Sequence, residues 1–249
     1  MPKGKPQQAV VFDEDGLLFA PRFEDHYFSR HDGRAETHHV FLGGNNLPAR
    51  WTEWGTKLRA ELGHEPFTIG ELGFGTGLNF LVTWQAWRRH RPNEGQLHFV
   101  SLEGFAITAQ QAQQALSIWP DLQTLTNALA QDWPFEGGKT TVTRRWPDDR
   151  IALTVHNGKA ADVISAFPPV DAWYLDGFSP ARNESMWTAE LMAEVAQRTK
   201  PGGSFASYTA AGQVRRDLAA AGFSVERRPG FGHKRHMIAG HKPLVGSTP

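Results

Sequence analysis

The stretch Phe67-Thr-Ile-Gly-Glu-Leu-Gly-Phe-Gly-Thr-Gly-Leu-Asn-Phe80 restricts the folds open to this chain more than any other. Residues 67–72 have the length and the β-branched and aromatic content of a buried strand. Residues 78–89 have helical periodicity, with Leu78, Leu81, Val82 and Ala86 on one side. Gly73, Gly75 and Gly77 lie between them. Alternating glycines let the backbone turn sharply and approach a ligand without an intervening Cβ, and the helix that follows directs free N–H groups at that ligand. The stretch reads as a small-molecule cradle.

Two features narrow the ligand. A dinucleotide fingerprint needs G-x-G-x-x-G/A, whereas Gly73-Phe-Gly75-Thr76-Gly77 is followed by Leu78 and Asn79, which is the wrong register for NAD. No Gly-Lys-Ser/Thr follows, so a P-loop is excluded as well. Glu71, two residues before the first glycine, would repel a pyrophosphate but attract a cationic amino-acid moiety. That combination suits S-adenosylmethionine. An ordinary glycine-rich turn with no ligand is the alternative.

Composition removes several chemistries. The 249 residues contain no cysteine, so disulfides, thiolate zinc sites and a cysteine nucleophile are all ruled out. With 26 basic and 26 acidic residues, long-range attraction to nucleic acid cannot come from the whole molecule and needs a local basic patch. No apolar segment reaches the length of a membrane span and the first residues lack a signal-peptide core, so a cytoplasmic protein without membrane or metal partners is expected.

Read in order, residues 1–8 are a loose end and residues 10–12 and 17–19 form a hairpin around Asp13-Glu-Asp-Gly16. Tyr27 and Phe28 are packing residues or a lid over the glycine turn. Residues 36–42 read as a strand, Gly43 to Asn46 as a turn and residues 50–62 as a helix. Beyond the glycine turn, residues 96–102 form a second strand ending at Glu103, where an acidic residue accepts hydrogen bonds from ribose hydroxyls in nucleotide-binding α/β folds. Helices are expected over 108–118 and 122–130, strands over 140–146 and 151–155, and a short helix over 162–167. The strand 170–175 runs into Asp176-Gly-Phe-Ser-Pro180, which concentrates a carboxylate, a flexible glycine and an aromatic ring at one strand end. A helix over 188–199 is closed by Lys200-Pro-Gly-Gly203, followed by a strand over 204–209 and a helix over 211–221. The last strands, 223–227 and 236–239, have no room for a helix between them and should pair antiparallel.

Glu71-Leu-Gly-Phe-Gly-Thr-Gly-Leu-Asn-Phe80, Asp171-Ala-Trp-Tyr-Leu-Asp-Gly-Phe-Ser-Pro180 with Asn183 and Met186-Trp187, and Arg228-Pro-Gly-Phe-Gly-His-Lys-Arg235 resemble the methyltransferase domain of the MnmC family, as does the segment from Pro21 to Arg30. The resemblance implies a class I, Rossmann-like α/β methyltransferase with a mostly parallel seven-stranded sheet and an antiparallel last strand. Residues 1–50 would be a β-rich extension or lid, and 51–249 the S-adenosylmethionine-dependent domain. The implied reaction is methylation of the 5-aminomethyl group of the tRNA wobble uridine to 5-methylaminomethyluridine, often on a 2-thio base. An FAD-dependent oxidase domain or separate partner enzyme is the associated activity, and a stand-alone methyltransferase and a domain of a longer protein both stay open. One departure matters: relatives usually carry Gly-Asp near the adenine amino group where this chain has Gly158-Lys159. Adenine recognition then falls to the Asn157 side chain or to backbone groups beside Gly158.

The expected cofactor contacts are therefore Glu71, Gly73, Gly75, Thr76, Gly77, Asn79, Glu103, Asn157 and Gly158. Asp176 is the expected catalytic residue, aiming the amine and open to a further role as base. A lysine-like amine has a pKa near ~10.4 and must lose a proton before it can attack. Phe178 and Pro180 would wall the substrate, Tyr27 or Tyr208 would close over the base, and Arg227, Arg228, Lys234 and Arg235 offer a phosphate-binding edge. A methyltransferase of free small-molecule amines and a non-catalytic module that binds the cofactor or RNA are the alternatives.

Overall fold

The computed structural model describes residues 10–29, 32–57 and 65–244. The expected loose end at 1–8 and the end of the helix expected over 50–62 lie outside the described residues. The short strands β1 (Val11–Phe12), β2 (Leu18–Ala20) and β3 (Asp25–His26) form a small antiparallel sheet. Asp13 stabilises its turn by accepting from the backbone N–H of Leu17 at 2.8 Å.

Residues 36–42, expected as a strand, are helical. Helix α1 (Gly33–Glu36), N-capped by the Asp32 side chain, runs directly into a π-helical stretch, Thr37–Gly43. The β-branched and aromatic residues that suggested a strand are there because one side of this helix is buried: Val40, Phe41 and Leu42 are in the core, with Phe41 stacked on Tyr174 at 4.8 Å between ring centroids. Helix α2 (Leu47–Lys57) continues across residue 50 and inserts Trp51 and Trp54 beside Phe67.

The remaining chain forms strands β4 (Phe67–Leu72), β5 (Leu97–Glu103), β6 (Thr141–Trp146), β7 (Ile151–Asn157), β8 (Val170–Leu175), β9 (Thr199–Ser207), β10 (Ser224–Pro229) and β11 (His236–His241). They make one sheet in the order β10-β11-β9-β8-β4-β5-β7-β6. The five strands from β9 to β7 are parallel, and the expected antiparallel pairing of the last two strands is present. The sheet has eight strands rather than seven, because β6 adds an antiparallel edge beyond β7. Strand β9 also starts at Thr199, so Lys200-Pro-Gly-Gly203, expected as a helix-closing turn, belongs to the strand and is absorbed by an irregular register against Val170 and Ala172.

Alternation along the inner strands divides the core. Ala172 and Tyr174 pack with α2, α3 (Leu78–His90), α4 (Ala109–Leu116) and α5 (Gln123–Gln131), whereas Trp173 and Leu175 face α6 (Ala160–Val163), α7 (Ala189–Arg198) and α8 (Gly212–Ala220). Asp149 pins α3 to the sheet: its carboxylate accepts from Trp84 Nε1 and Arg88 Nε, both at 2.8 Å, and its carbonyl accepts from Trp87 Nε1 at 3.0 Å. Among the described residues no helix is long and apolar enough to cross a membrane.

Candidate functional site

The first strand of the parallel set, β4, lies in its middle: β5 and β7 follow on one side, β8 and β9 on the other. Neighbouring crossovers therefore leave in opposite directions between β4 and β8, and the carboxyl ends of the strands open a crevice there. A cavity of about 750 Å³ fills it. Gly73 to Thr76 follow β4, Glu103 ends β5, Gly158 follows β7, Asp176 follows β8 and Tyr208 follows β9; all line the cavity. The roof comes from the front of the chain, including Arg22, Phe23, Tyr27, Glu36 and Thr37.

The glycine loop is shaped as its sequence demands. Gly73 and Gly75 have φ of +90° and +53°, values that side-chain-bearing residues rarely adopt. A Cβ on Gly75 would also lie 3.1 Å from Tyr27 Cδ1, so the bare backbone lets the ring close on the loop. Glu103 fixes the loop from below, its carboxylate accepting from the backbone N–H groups of Gly75 at 2.8 Å and Phe105 at 2.7 Å. Burial raises the pKa of Glu103, and those N–H bonds partly offset the shift. The Tyr27 hydroxyl is buried and has no hydrogen-bond partner among the described residues. Burial, and then the nearby Glu103 charge, push its pKa up, so it stays a neutral phenol on a residue that lines the cavity. A cavity in the size range of small-molecule sites, a glycine cradle, a carboxylate at the second strand end and an orphaned phenol together fit a nucleoside-bearing ligand.

Asp176 is held by a chain of side chains. Asn79 Nδ2 donates both to Asp176 Oδ2 at 2.7 Å and to Glu71 Oε1 at 3.0 Å, while Ser101 Oγ donates to Glu71 Oε2 at 2.6 Å. Thr37 Oγ1 lies 2.7 Å from Asn79 Oδ1 and so ties the roof to this chain. Burial lifts Asp176 to about 6, opposed by the bonds from Asn79 and the Gly177 backbone. Phe178 stacks on Phe23 at 4.4 Å and meets Tyr27 edge-on at 5.4 Å, giving apolar walls. The Tyr208 hydroxyl donates to Gly177 O at 2.8 Å.

The structure brings Tyr27, Gly73, Gly75, Thr76, Asn79, Glu103, Gly158, Asp176, Phe178 and Lys234 to the cavity. Other expected residues lie elsewhere. Glu71 is 1% exposed beneath Asn79, where burial pushes its pKa well above the usual carboxylate range, so it meets the cavity only through that amide. Gly77 caps α3 with φ +80°. The Asn157 side chain turns away and donates to Lys139 O at 2.7 Å, leaving the backbone at Gly158 to Ala161 on the cavity wall. Pro180 is not among the lining residues, and Arg228 is paired with Glu226 and donates to Gly44 O at 3.1 Å. Arg235 is exposed on the hairpin. Sequence reasoning missed Glu36, Thr37 and Phe41, because a strand reading hid their helical face, and Phe105, which had no motif around it. Among the described residues no group of three or more His, Asp or Glu could hold a metal ion.

A family model described as S-adenosyl-L-methionine-dependent methyltransferase matches residues 120–243. The tRNA 5-methylaminomethyl-2-thiouridine biosynthesis bifunctional protein MnmC of Chromohalobacter salexigens is 48% identical over 223 residues, covering 89% of this chain and 31% of that protein. Its namesake from a Caulobacter species is 40% identical over 255 residues, covering 96% of this chain and 39% of that protein. The chain thus spans about a third of the length of the curated relatives it matches. Among solved structures, MnmC2 from Aquifex aeolicus superimposes with a TM-score of 0.73 at 21% identity, covering 98% of this chain and 73% of that one, which shows the shared fold.

Proposed function

Since the chain belongs to the S-adenosyl-L-methionine-dependent methyltransferase domains related to the MnmC family, we propose that it methylates the amino nitrogen of 5-aminomethyluridine at the tRNA wobble position, with or without a 2-thio group. The observation that carries the reading is Asp176, a carboxylate set at the switch between β4 and β8, fixed by Asn79 and walled by aromatic rings. When bound, S-adenosylmethionine supplies an electrophilic methyl carbon on a sulfonium. Gly73 to Thr76 would cradle the amino-acid end, Glu103 would accept from the ribose hydroxyls with Tyr27 beside it, and the backbone from Gly158 to Ala161 would meet the adenine. Asn79 would act on the cofactor side and on Asp176 together.

Direct displacement at carbon needs alignment and exclusion of water more than it needs acid or base. Asp176 accepts a hydrogen bond from the incoming amine and aims its lone pair. With a pKa of about 6 it is mostly ionised at neutral pH, and it is basic enough to receive a proton transiently as the ammonium gives up its own. Positioning is its main task, because a carboxylate beside an ammonium raises the ammonium's pKa. Phe178 and Tyr208 keep water from the reacting nitrogen. The tRNA backbone would follow the hairpin edge at Arg228 and Arg235, and a phosphate contact by Lys234 would require it to leave Glu36.

The test is incubation with labelled S-adenosylmethionine and tRNA from cells lacking this modification, followed by nucleoside analysis. Label in 5-methylaminomethyluridine, abolished by Asp176→Asn with cofactor affinity preserved, is the expected result. Tight cofactor binding with no label, or an Asp176→Asn variant near the parental rate, would refute the assignment.

A further inference from the structure

One ion pair inside the cavity has a composition that a structural strap does not need. Lys234 Nζ lies 2.7 Å from Glu36 Oε1 and 4.1 Å from the centroid of the Tyr208 ring. Glu36 is the more buried partner, its side chain 12% exposed, whereas Lys234 enters from the hairpin with 42% of its side chain exposed. Glu36 and Lys234 act on the Asp176 carboxyl in opposite senses, Glu36 raising its pKa and Lys234 lowering it. A carboxylate and an aromatic face around one ammonium, with the Asp176 carboxylate lining the same cavity, have the makings of a receptor for an alkylammonium ion. The two elements this pair connects are already joined elsewhere: His39 Nε2 is 2.9 Å from Pro229 O, and Arg228 Nη1 donates to Gly44 O.

We propose that Glu36, the Tyr208 ring and Asp176 form the subsite for the substrate's primary ammonium, and that Lys234 occupies it as an internal ligand that the substrate displaces. This rests on the amine-methyltransferase reading. Both ions are alkylammonium groups of the same charge, so exchanging one for the other spares the mostly buried Glu36 carboxylate an unpaired intermediate. A neutral side arm in place of the ammonium cannot make that exchange. The subsite therefore selects for a cationic substituent on the base, and the lysine sets a threshold that weakly bound or neutral compounds do not cross.

The experiment is calorimetry on the full chain with propylammonium chloride as the probe, propanol as the neutral control and S-adenosylhomocysteine present throughout. Lys234→Met should bind propylammonium about tenfold more tightly than the parent, through removal of one competing charge-assisted contact. Adding Glu36→Gln to Lys234→Met should abolish that gain, and propanol should respond to neither change. Unchanged S-adenosylhomocysteine affinity and thermal midpoint confirm that the variants are folded. Equal or weaker propylammonium binding by Lys234→Met, or a gain that survives Glu36→Gln, overturns the subsite. If the parent methylates hypomodified tRNA while Lys234→Met shows no gain, the subsite fails and the functional reading stands. If the ammonium pattern appears in a protein that leaves that tRNA unmethylated, the subsite stands and the functional reading fails.

Discussion

Replacing Asn79 by leucine tests the link between fold and chemistry most directly, because one amide serves two buried carboxylates. The variant keeps the side chain's bulk and removes the 2.7 Å bond to Asp176 and the 3.0 Å bond to Glu71. A hydrogen bond to a charged group contributes about 1.5–3 kcal/mol, and one pH unit corresponds to about 1.4 kcal/mol, so Asp176 should move up by roughly one to two units. Its starting value is about 6. The ionised form is present above that value and lost below it. Raising the pKa therefore removes active enzyme at neutral pH, about two- to tenfold at pH 7 and far less at about pH 9. The assay is kcat/KM for the amine substrate against pH at saturating cofactor. Because the substrate ammonium must also deprotonate, the parental log plot keeps rising with pH and bends where Asp176 titrates. In Asn79→Leu the bend should move to higher pH. A bend within a few tenths of the parental position, with the variant folded, would refute the claim that Asn79 sets the ionisation of Asp176.

Glu103→Ala should weaken S-adenosylmethionine binding by about ten- to a hundredfold, since it removes the proposed ribose acceptor and frees the Gly75 N–H; unchanged calorimetric affinity would disprove the role. Asp149→Ala leaves the buried Trp84 indole without its acceptor and removes the ion pair to the half-exposed Arg88, at a cost of about 1–3 kcal/mol, which should lower the thermal midpoint by roughly 2–12 °C. Burial acts to raise the Asp149 pKa, but the hydrogen bonds from Arg88 and Trp84 outweigh it and leave a net lowering. Its stabilisation is thus present above the unfolded-state value of about 3.9 and lost as pH falls through the lower folded value, so melts of parent and variant should converge only in strong acid.

The strand ends that line the cavity are legible because parallel strands covered on both faces leave apolar runs, and whatever polar residue closes such a run stands out. Glu103 and Asp176 were found in that way. The signal failed where the direction of a side chain mattered. Glu71 lies inside β4 rather than at its end, and Asn157 points to the neighbouring strand's loop, which strand position alone does not determine. It also failed where composition imitates strand: Thr37-His-His-Val-Phe-Leu42 is rich in β-branched and aromatic residues, yet it packs as a helix because Phe41 needs the Tyr174 ring. The pair between Glu36 and Lys234 joins positions 198 apart in the chain, and no local pattern foreshadows it.

Strand β11 is the last to be synthesised of those described, but it lies between β9 and β10 rather than at the margin. Until the ribosome has released it, β10 has no partner and β9 shows an open row of amide and carbonyl groups, a template for adhesion to other nascent chains. The turn that precedes β11 also carries Phe231, His233 and Lys234 to the cavity. A message truncated ahead of His236 would thus yield an adhesive polypeptide whose Phe231, His233 and Lys234 have no closed hairpin to hold them at the cavity, whereas completing the hairpin removes both defects at once.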